Sequence, residues 1–252
     1  VYVSNIPIYD QETAVLPLAM MPMQQRQRRP AETKIFVGKP AVAMQEKRSQ
    51  QGGTDADSDM GGVNGGRAAD GDDRILRQVV IPNPITVHLG PPGANASNVQ
   101  VSFPDYVKNV ASSEIYPTWP EAALTANIYA IITFALNRVY TEWYRSKGYN
   151  FDITNSTAYD QNFVYGRPVY ESINRIVDNI FNEYVRRQGR NVPYFTSFCN
   201  GTTVTCAGMS QWGTVTLANR GYTPLQILRS YYPKDVELAS TDIIAGGLSS
   251  YP

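Results

Sequence analysis

Glu114 is the residue best suited by type and position to acid–base chemistry. It follows a small apolar run, Val110-Ala-Ser-Ser113, and stands four residues ahead of a well-marked helix start. Thr118 can cap that helix, Pro120 suits its first turn, and Glu121 completes a Thr-x-x-Glu capping box. A carboxylate held beside the mouth of a rigid element can act as a general acid. Other catalytic patterns are scarce. The chain has a single His, His88, which excludes a multi-His metal site. His88 sits in the alternating segment Ile85-Thr-Val-His-Leu89, which reads as a strand with His88 half exposed and disfavours a Ser-His-Asp or Cys-His site. No metal site and no cofactor are expected.

The elements that must position Glu114 follow from local pattern. Strand signals cover 75–81, 85–89 and Val99 to Phe103, with a Gly-Pro-Pro-Gly turn at 90–93. A long helix is expected from about 119 to 146, stopping at Gly148, and a second from about 169 to 187, with Ile173, Ile176, Val177, Ile180 and Tyr184 on its apolar face. A shorter helix fits 210–219, and another starts at the Thr223-Pro-Leu-Gln226 capping box. The sum is an α+β fold: a compact helical body with a small, mostly antiparallel sheet, preceded by a long irregular N-terminal arm.

Composition divides the 252 residues further. Residues 1–48 are rich in Pro, Met and Gln, with one strand signal at Lys34 to Val37, and form an arm suited to anchoring or assembly. Residues 49–73 are Gly/Asp-rich and read as a flexible linker. Within them Asp55-Ala-Asp-Ser-Asp59 lacks the turn Gly and the twelfth-position Glu of a calcium loop. Residues 74–240 form the globular domain and 241–252 a tail. The 22 basic and 22 acidic residues balance, so nothing in the total charge points to nucleic acid or an anionic membrane. No run is read as approaching the roughly 20 apolar residues that span a bilayer. No leader opens the chain, and its start at Val1 leaves a removed leader open.

Four blocks then carry a resemblance. Glu114-Ile-Tyr-Pro-Thr-Trp-Pro-Glu-Ala-Ala-Leu-Thr-Ala-Asn-Ile-Tyr-Ala130 resembles the signature of the stage II sporulation protein D family, in which a Glu-Met-Pro segment precedes an Ala-rich helix. Phe151 to Gln161 resembles its Phe-Asp-Val-Thr-Asp-Ser-Thr…Gln segment, and Tyr194 to Thr202 its Tyr-Phe-Ser-Ser…Gly-Gly-x-Thr segment. Gly208-Met-Ser-Gln-Trp-Gly213, followed by Ile227-Leu228 and Tyr231-Tyr-Pro233, resembles its Met-Ser-Gln and Tyr-Tyr-Pro ending. The blocks run in order over about 106–238 and leave residues 1–73 untouched.

The resemblance implies peptidoglycan chemistry. Active members are lytic transglycosylases, which cleave the MurNAc–GlcNAc bond without water and leave a 1,6-anhydro sugar, one Glu making both proton transfers. Glu114 takes that role here, with peptidoglycan glycan strands as partner. Gln161, Ser210 and Gln211 lie in matching blocks and are candidates to hydrogen-bond a glycan, or equally to tie loops together. Tyr159, Tyr165, Trp119 and Trp212 are candidates to stack on sugars, with core packing as the commoner fate of such rings. The chain also departs from the pattern. The Thr205-Cys-Ala-Gly-Met-Ser-Gln211 stretch lacks the family's His, the insert before it is short, and an Arg of the family's helix is replaced within Ile128-Tyr-Ala-Ile131. Without a neighbouring His, Cys199 and Cys206 make a poor zinc site. A disulfide between them is the better reading and buried free thiols the alternative, the former fitting an extracellular or cell-envelope setting. Two functions therefore stand: a lytic transglycosylase, or a non-catalytic glycan-binding or structural module docked or self-assembled through residues 1–73.

Overall fold

Ser102 starts the first helix. Its Oγ accepts from the Asp105 N–H (3.2 Å), Pro104 fills the first turn, and the helix α1 runs Phe103–Glu114. Phe103, Tyr106, Val107, Val110 and Ala111 form its buried side. Ile115 leaves the helix in extended backbone and Pro117 follows, so Glu114 is its final residue. The computed structural model describes residues 8–9 and 78–245. The 1–48 arm with its Lys34 to Val37 strand and the 49–73 linker lie outside the described residues, save a two-residue strand at Ile8–Tyr9.

The second helix, α2, spans Glu121–Tyr140 and is the core of the fold, with 16 of its 20 residues buried. It is packed on by α1, by α3 (Glu171–Ile180), α4 (Gln211–Ala218) and α5 (Pro224–Tyr231), and by the strand Glu183–Arg187. Contrary to the sequence reading, the stretch Glu121–Lys147 is long and apolar enough by length and composition to cross a bilayer. That apolar window is 78% buried inside the fold, as a helix walled in by protein on all sides must be.

The strands form small mixed sheets. In chain order they are β1 (Ile8–Tyr9), β2 (Ile85–His88), β3 (Asn98–Val101), β4 (Ile153–Thr154), β5 (Val169–Tyr170), β6 (Glu183–Arg187), β7 (Phe198–Cys199), β8 (Met209–Ser210) and β9 (Val236–Ser240). The two longest pairings are antiparallel: β2 with β3 (Ile85 opposite Val101) and β6 with β9 (Glu183 opposite Ser240). The short pairings β1–β5, β2–β4 and β7–β8 are parallel. One apolar cluster joins the β2–β3–β4 sheet to α1, α2 and α3, and another fills the opposite side of α2 beneath α4, α5 and β6. Residues 241–245 are held to the domain, because Ile81 N–H donates to Ile243 O and Ala245 N–H to Ile81 O (both 2.8 Å).

Several expectations are corrected. Residues 103–114 form a helix where the sequence reading had a strand end and an apolar run. The Thr118–Glu121 box does not form. Pro120 is the N-cap, no side chain caps α2, and Glu121 pairs instead with Arg175 on α3 (3.2 Å). α2 ends at Tyr140, with a separate 3-10 turn, Arg145–Lys147, closed by Gly148 at φ 86°. The second helix stops at Ile180, because residues 183–187 gain a full ladder with β9 and Val185 N–H donates to Thr133 Oγ on α2 (2.9 Å). His88 is 5% exposed rather than half exposed, stacked on Phe151 with ring centroids 4.6 Å apart. The Thr223–Gln226 box forms as expected.

Candidate active site

Glu114 projects from the last turn of α1 as a half-buried carboxyl with one donor on each oxygen. Oε1 accepts from the backbone N–H of Asn162 (3.0 Å), and Oε2 from the side-chain amide of Gln211 (3.3 Å). Burial pushes its pKa above the usual carboxylate value, while these two donors pull the other way. Burial is the larger effect. A carboxyl balanced between a protonated form favoured by desolvation and an anion favoured by donors is suited to give a proton and take one back. The longer contact leaves Oε2 as the oxygen better able to carry the proton.

The Asn162 N–H is held in place by its neighbours. Asp160, with a fully buried side chain, accepts from Arg138 Nε (2.8 Å), Tyr144 OH (2.6 Å) and Thr154 through both its N–H and its hydroxyl. Gln161 Oε1 accepts from Tyr106 OH (2.9 Å), and its Nε2 donates to Ile131 O (3.2 Å). Burial and the negative charges of Asp160 and Glu114 raise the Tyr106 pKa, so its phenol remains a donor. Asn109 Nδ2 donates to Val164 O (2.8 Å) and its Oδ1 accepts from Val164 N–H (2.9 Å). Tyr106, Asn109 and Glu114 thus bind the 161–164 segment from one helix, α1. Gln161 is fully buried with both ends of its amide engaged. It has no free group for a glycan, and its place is in this clamp.

The opposite wall comes from α4. Ser210 caps that helix, its Oγ accepting from Gly213 N–H (2.9 Å), which commits the hydroxyl expected to face substrate. Gln211 is buried and aimed at Glu114, and Thr214 donates to its carbonyl while accepting from Asn127 on α2 (2.6 and 2.8 Å). Trp212 is 40% exposed and lies 4.9 Å from Trp119 and 5.5 Å from Tyr116, ring centroid to centroid. Tyr116 follows Glu114 by two residues and Trp212 follows Gln211 by one, so the chain links this aromatic shelf closely to the carboxyl and its donor. Cys199 and Cys206 are joined in a disulfide. The loop they close accepts the Trp212 N–H at Asn200 O (3.1 Å) and meets Ser210 at Gly201, where φ is +77° and an added Cβ would lie 1.8 Å from Ser210 Oγ.

The structure therefore brings Glu114, Gln211 and Trp212 together, with Trp119 beside them. Tyr159 and Tyr165 are exposed, at 53% and 52%, and among the described residues no bond joins either to this group. Asn162, Asn109 and Tyr116 escaped the sequence reading. Asn162 acts through its backbone, which leaves no side-chain signal. Asn109 lies in the unrecognised helix, where an Asn three residues after Tyr106, at helical spacing, is the available sign.

Residues 94–186 match the family described as SpoIID, Stage II sporulation protein. That match supports a domain of this family within the chain. The match takes in α1 with Glu114, all of α2 and the 160–164 segment, and it ends before Gln211 and Trp212. The match accords with a cell-wall related sporulation function. No curated protein matches the chain.

Proposed function

We propose that the protein is a peptidoglycan lytic transglycosylase acting in the cell envelope or outside the cell, with Glu114 as its acid and base. One observation carries this reading: a half-buried carboxyl with raised pKa is fixed by two donors, one of them Gln211 next in sequence to the exposed Trp212, which packs with Tyr116. Glu121, the next carboxylate along the chain, is exposed and paired with Arg175. Hydrolysis of a glycosidic bond ordinarily employs two carboxyl groups across the bond, whereas an internal nucleophile needs one.

In the reaction, the Glu114 O–H protonates the glycosidic oxygen. The C1–O bond breaks, and its electron pair leaves with that oxygen on GlcNAc. The C6 hydroxyl of MurNAc then closes on C1, and its proton returns to the Glu114 carboxylate. The products are a 1,6-anhydro-MurNAc end and a free GlcNAc hydroxyl, and no water is consumed. Asn162 N–H and Gln211 steady the anion between the two transfers, and Trp212 with Tyr116 offers flat apolar surface to a sugar ring.

A second reading has a specific observation behind it. Glu114 continues the series of α1 side chains that tie down the 161–164 segment, as a purely structural residue would. The domain would then bind glycan without cutting it. Digestion of purified glycan strands, read by mass spectrometry, separates the two: anhydro-muropeptides from the wild type and none from Glu114→Gln support catalysis. No product from a wild type that still co-sediments with sacculi leaves the binding module.

A further inference from the structure

β2 and β3 place alternate residues on opposite faces of their sheet. Ile85, Val87, Val99 and Val101 turn toward the core, so the residues alternating with them, the cross-strand pairs Thr86–Gln100 and His88–Asn98, share the other face. On that polar face Asn98 and Gln100 are exposed, while the β2 residues lie deeper. Thr86 and His88 are 7% and 5% exposed, and two adjoining cavities lie over the face, of about 450 and 510 Å³. Both are lined by Asn98 and Asn150, so they form one groove in two compartments. Its polar compartment adds Arg145 and Tyr165, and the other adds Tyr149, Phe151 and the 92–96 turn.

The chemistry of the groove is specific. Asn98 Nδ2 donates to Asn150 Oδ1 (2.8 Å), so Asn98 Oδ1 is an acceptor and His88 Nδ1 carries the proton between them (2.7 Å). His88 Nε2 is then an acceptor, buried and without a partner among the described residues. Amides and hydroxyls that both donate and accept, set beside exposed tyrosine rings, match a hydroxyl- and amide-bearing ring better than an apolar ligand. Among the described residues Arg145 is the single charged side chain lining either compartment. Its Nε is held by Asp152 (2.7 Å), which leaves its terminal nitrogens for an anion.

We propose that this groove is a second glycan site, apart from Glu114, that takes an N-acetylated amino sugar bearing a carboxylate, with Arg145 on that carboxylate. The ligand class rests on the peptidoglycan reading above, but the site itself does not depend on cleavage. Such a site holds the strand while Glu114 acts elsewhere on it.

The test uses the full chain with Glu114→Gln, so that no ligand is consumed. It is titrated with soluble uncrosslinked GlcNAc–MurNAc strands and with chitotetraose, which lacks the carboxylate, and followed by NMR and calorimetry. Saturable shifts at Asn98, Gln100 and Asn150 are expected with the MurNAc strands. The Gln100→Ala/Arg145→Gln double variant should bind those strands at least tenfold more weakly with an unchanged melting temperature, and Arg145→Gln alone should leave chitotetraose affinity intact. Shifts confined to Tyr116, Trp119 and Trp212 overturn the proposal, as does unaltered affinity in the double variant. Equal shifts from free stem peptide also overturn it. Loss of catalysis alone leaves these readouts unmoved, so the two failures are distinguishable.

Discussion

Replacing Asn109 with Ala removes two bonds at once and never touches the Glu114 carboxyl. Asn109 is fully buried, and its amide both donates to and accepts from the backbone of Val164. Each such bond contributes about 1 kcal/mol net, and a buried orphan would cost about 1–3 kcal/mol. Val164 itself is 40% exposed, so water can reach the freed backbone and the lower figure applies. The two bonds then sum to about 2 kcal/mol, and the small void left at position 109 adds to that, for a total of about 2–3 kcal/mol. For a domain of this size that lowers the melting temperature by roughly 5–10 °C. Calorimetric or circular-dichroism melting measures the loss directly. Hydrogen exchange should locate it, with faster exchange at the Asn162 and Val164 amides and little change in β6 and β9. A variant that melts within about 2 °C of the wild type, with the Asn162 amide still protected, refutes the idea that α1 clamps the segment facing Glu114.

The remaining predictions concern the chemistry and its frame. Glu114→Gln keeps an acceptor for the Asn162 N–H and should fold normally while losing about 10²–10⁴-fold in anhydro-muropeptide release for each proton transfer it no longer makes. Because the folded carboxyl has a raised pKa, it binds its proton more tightly than in the unfolded chain. Its contribution to stability is present below the ordinary value of 4.5 and is lost as pH rises through the folded value. Cleavage should fall over the same upper range, and Gln211→Ala, which removes a donor to the anion, should move that alkaline limb upward; a downward move would contradict the geometry. Trp212→Ala should raise KM for glycan strands about tenfold with the fold intact, since stacking on an exposed ring is worth roughly 0.5–1.5 kcal/mol beyond its buried area. Reducing the Cys199–Cys206 bond, whose partners are 7 apart in sequence, should cost about 2–3 kcal/mol by chain entropy. An unchanged melting temperature in reductant would show that the 200–205 loop is held by its own hydrogen bonds.

Much of this site was legible in local pattern. Glu114, Gln211 and Trp212 stood out as residues, and the Thr223–Gln226 cap was readable because capping is decided within four residues. What failed was decided at longer range. The apolar periodicity of α3 continues to Tyr184, yet the chain becomes β6 because β9, some fifty residues on, supplies a ladder. The signals that start α1, Ser102, Pro104 and Asp105, are themselves local, and they were masked by the strand-like Val99–Val101 immediately before them. Gln161 illustrates the opposite limit. A polar residue in a matching block carries no mark in one dimension of whether it faces a ligand or, as here, a helix carbonyl.

The two oxygens of Glu114 are served by partners 48 and 97 positions further along the chain. Contacts of that reach close large loops, and they form after local helices in a folding chain. The carboxyl with both its donors and the Trp212 shelf are therefore not together in any fragment that stops short of α4. A ribosome-bound chain that has finished α1, α2 and α3 holds the acid and the Asn162 N–H but lacks the Gln211 amide and the Trp212 ring. The complete site arrives with the last third of the domain, so the same topology that shapes the site also fixes when during synthesis it comes into being.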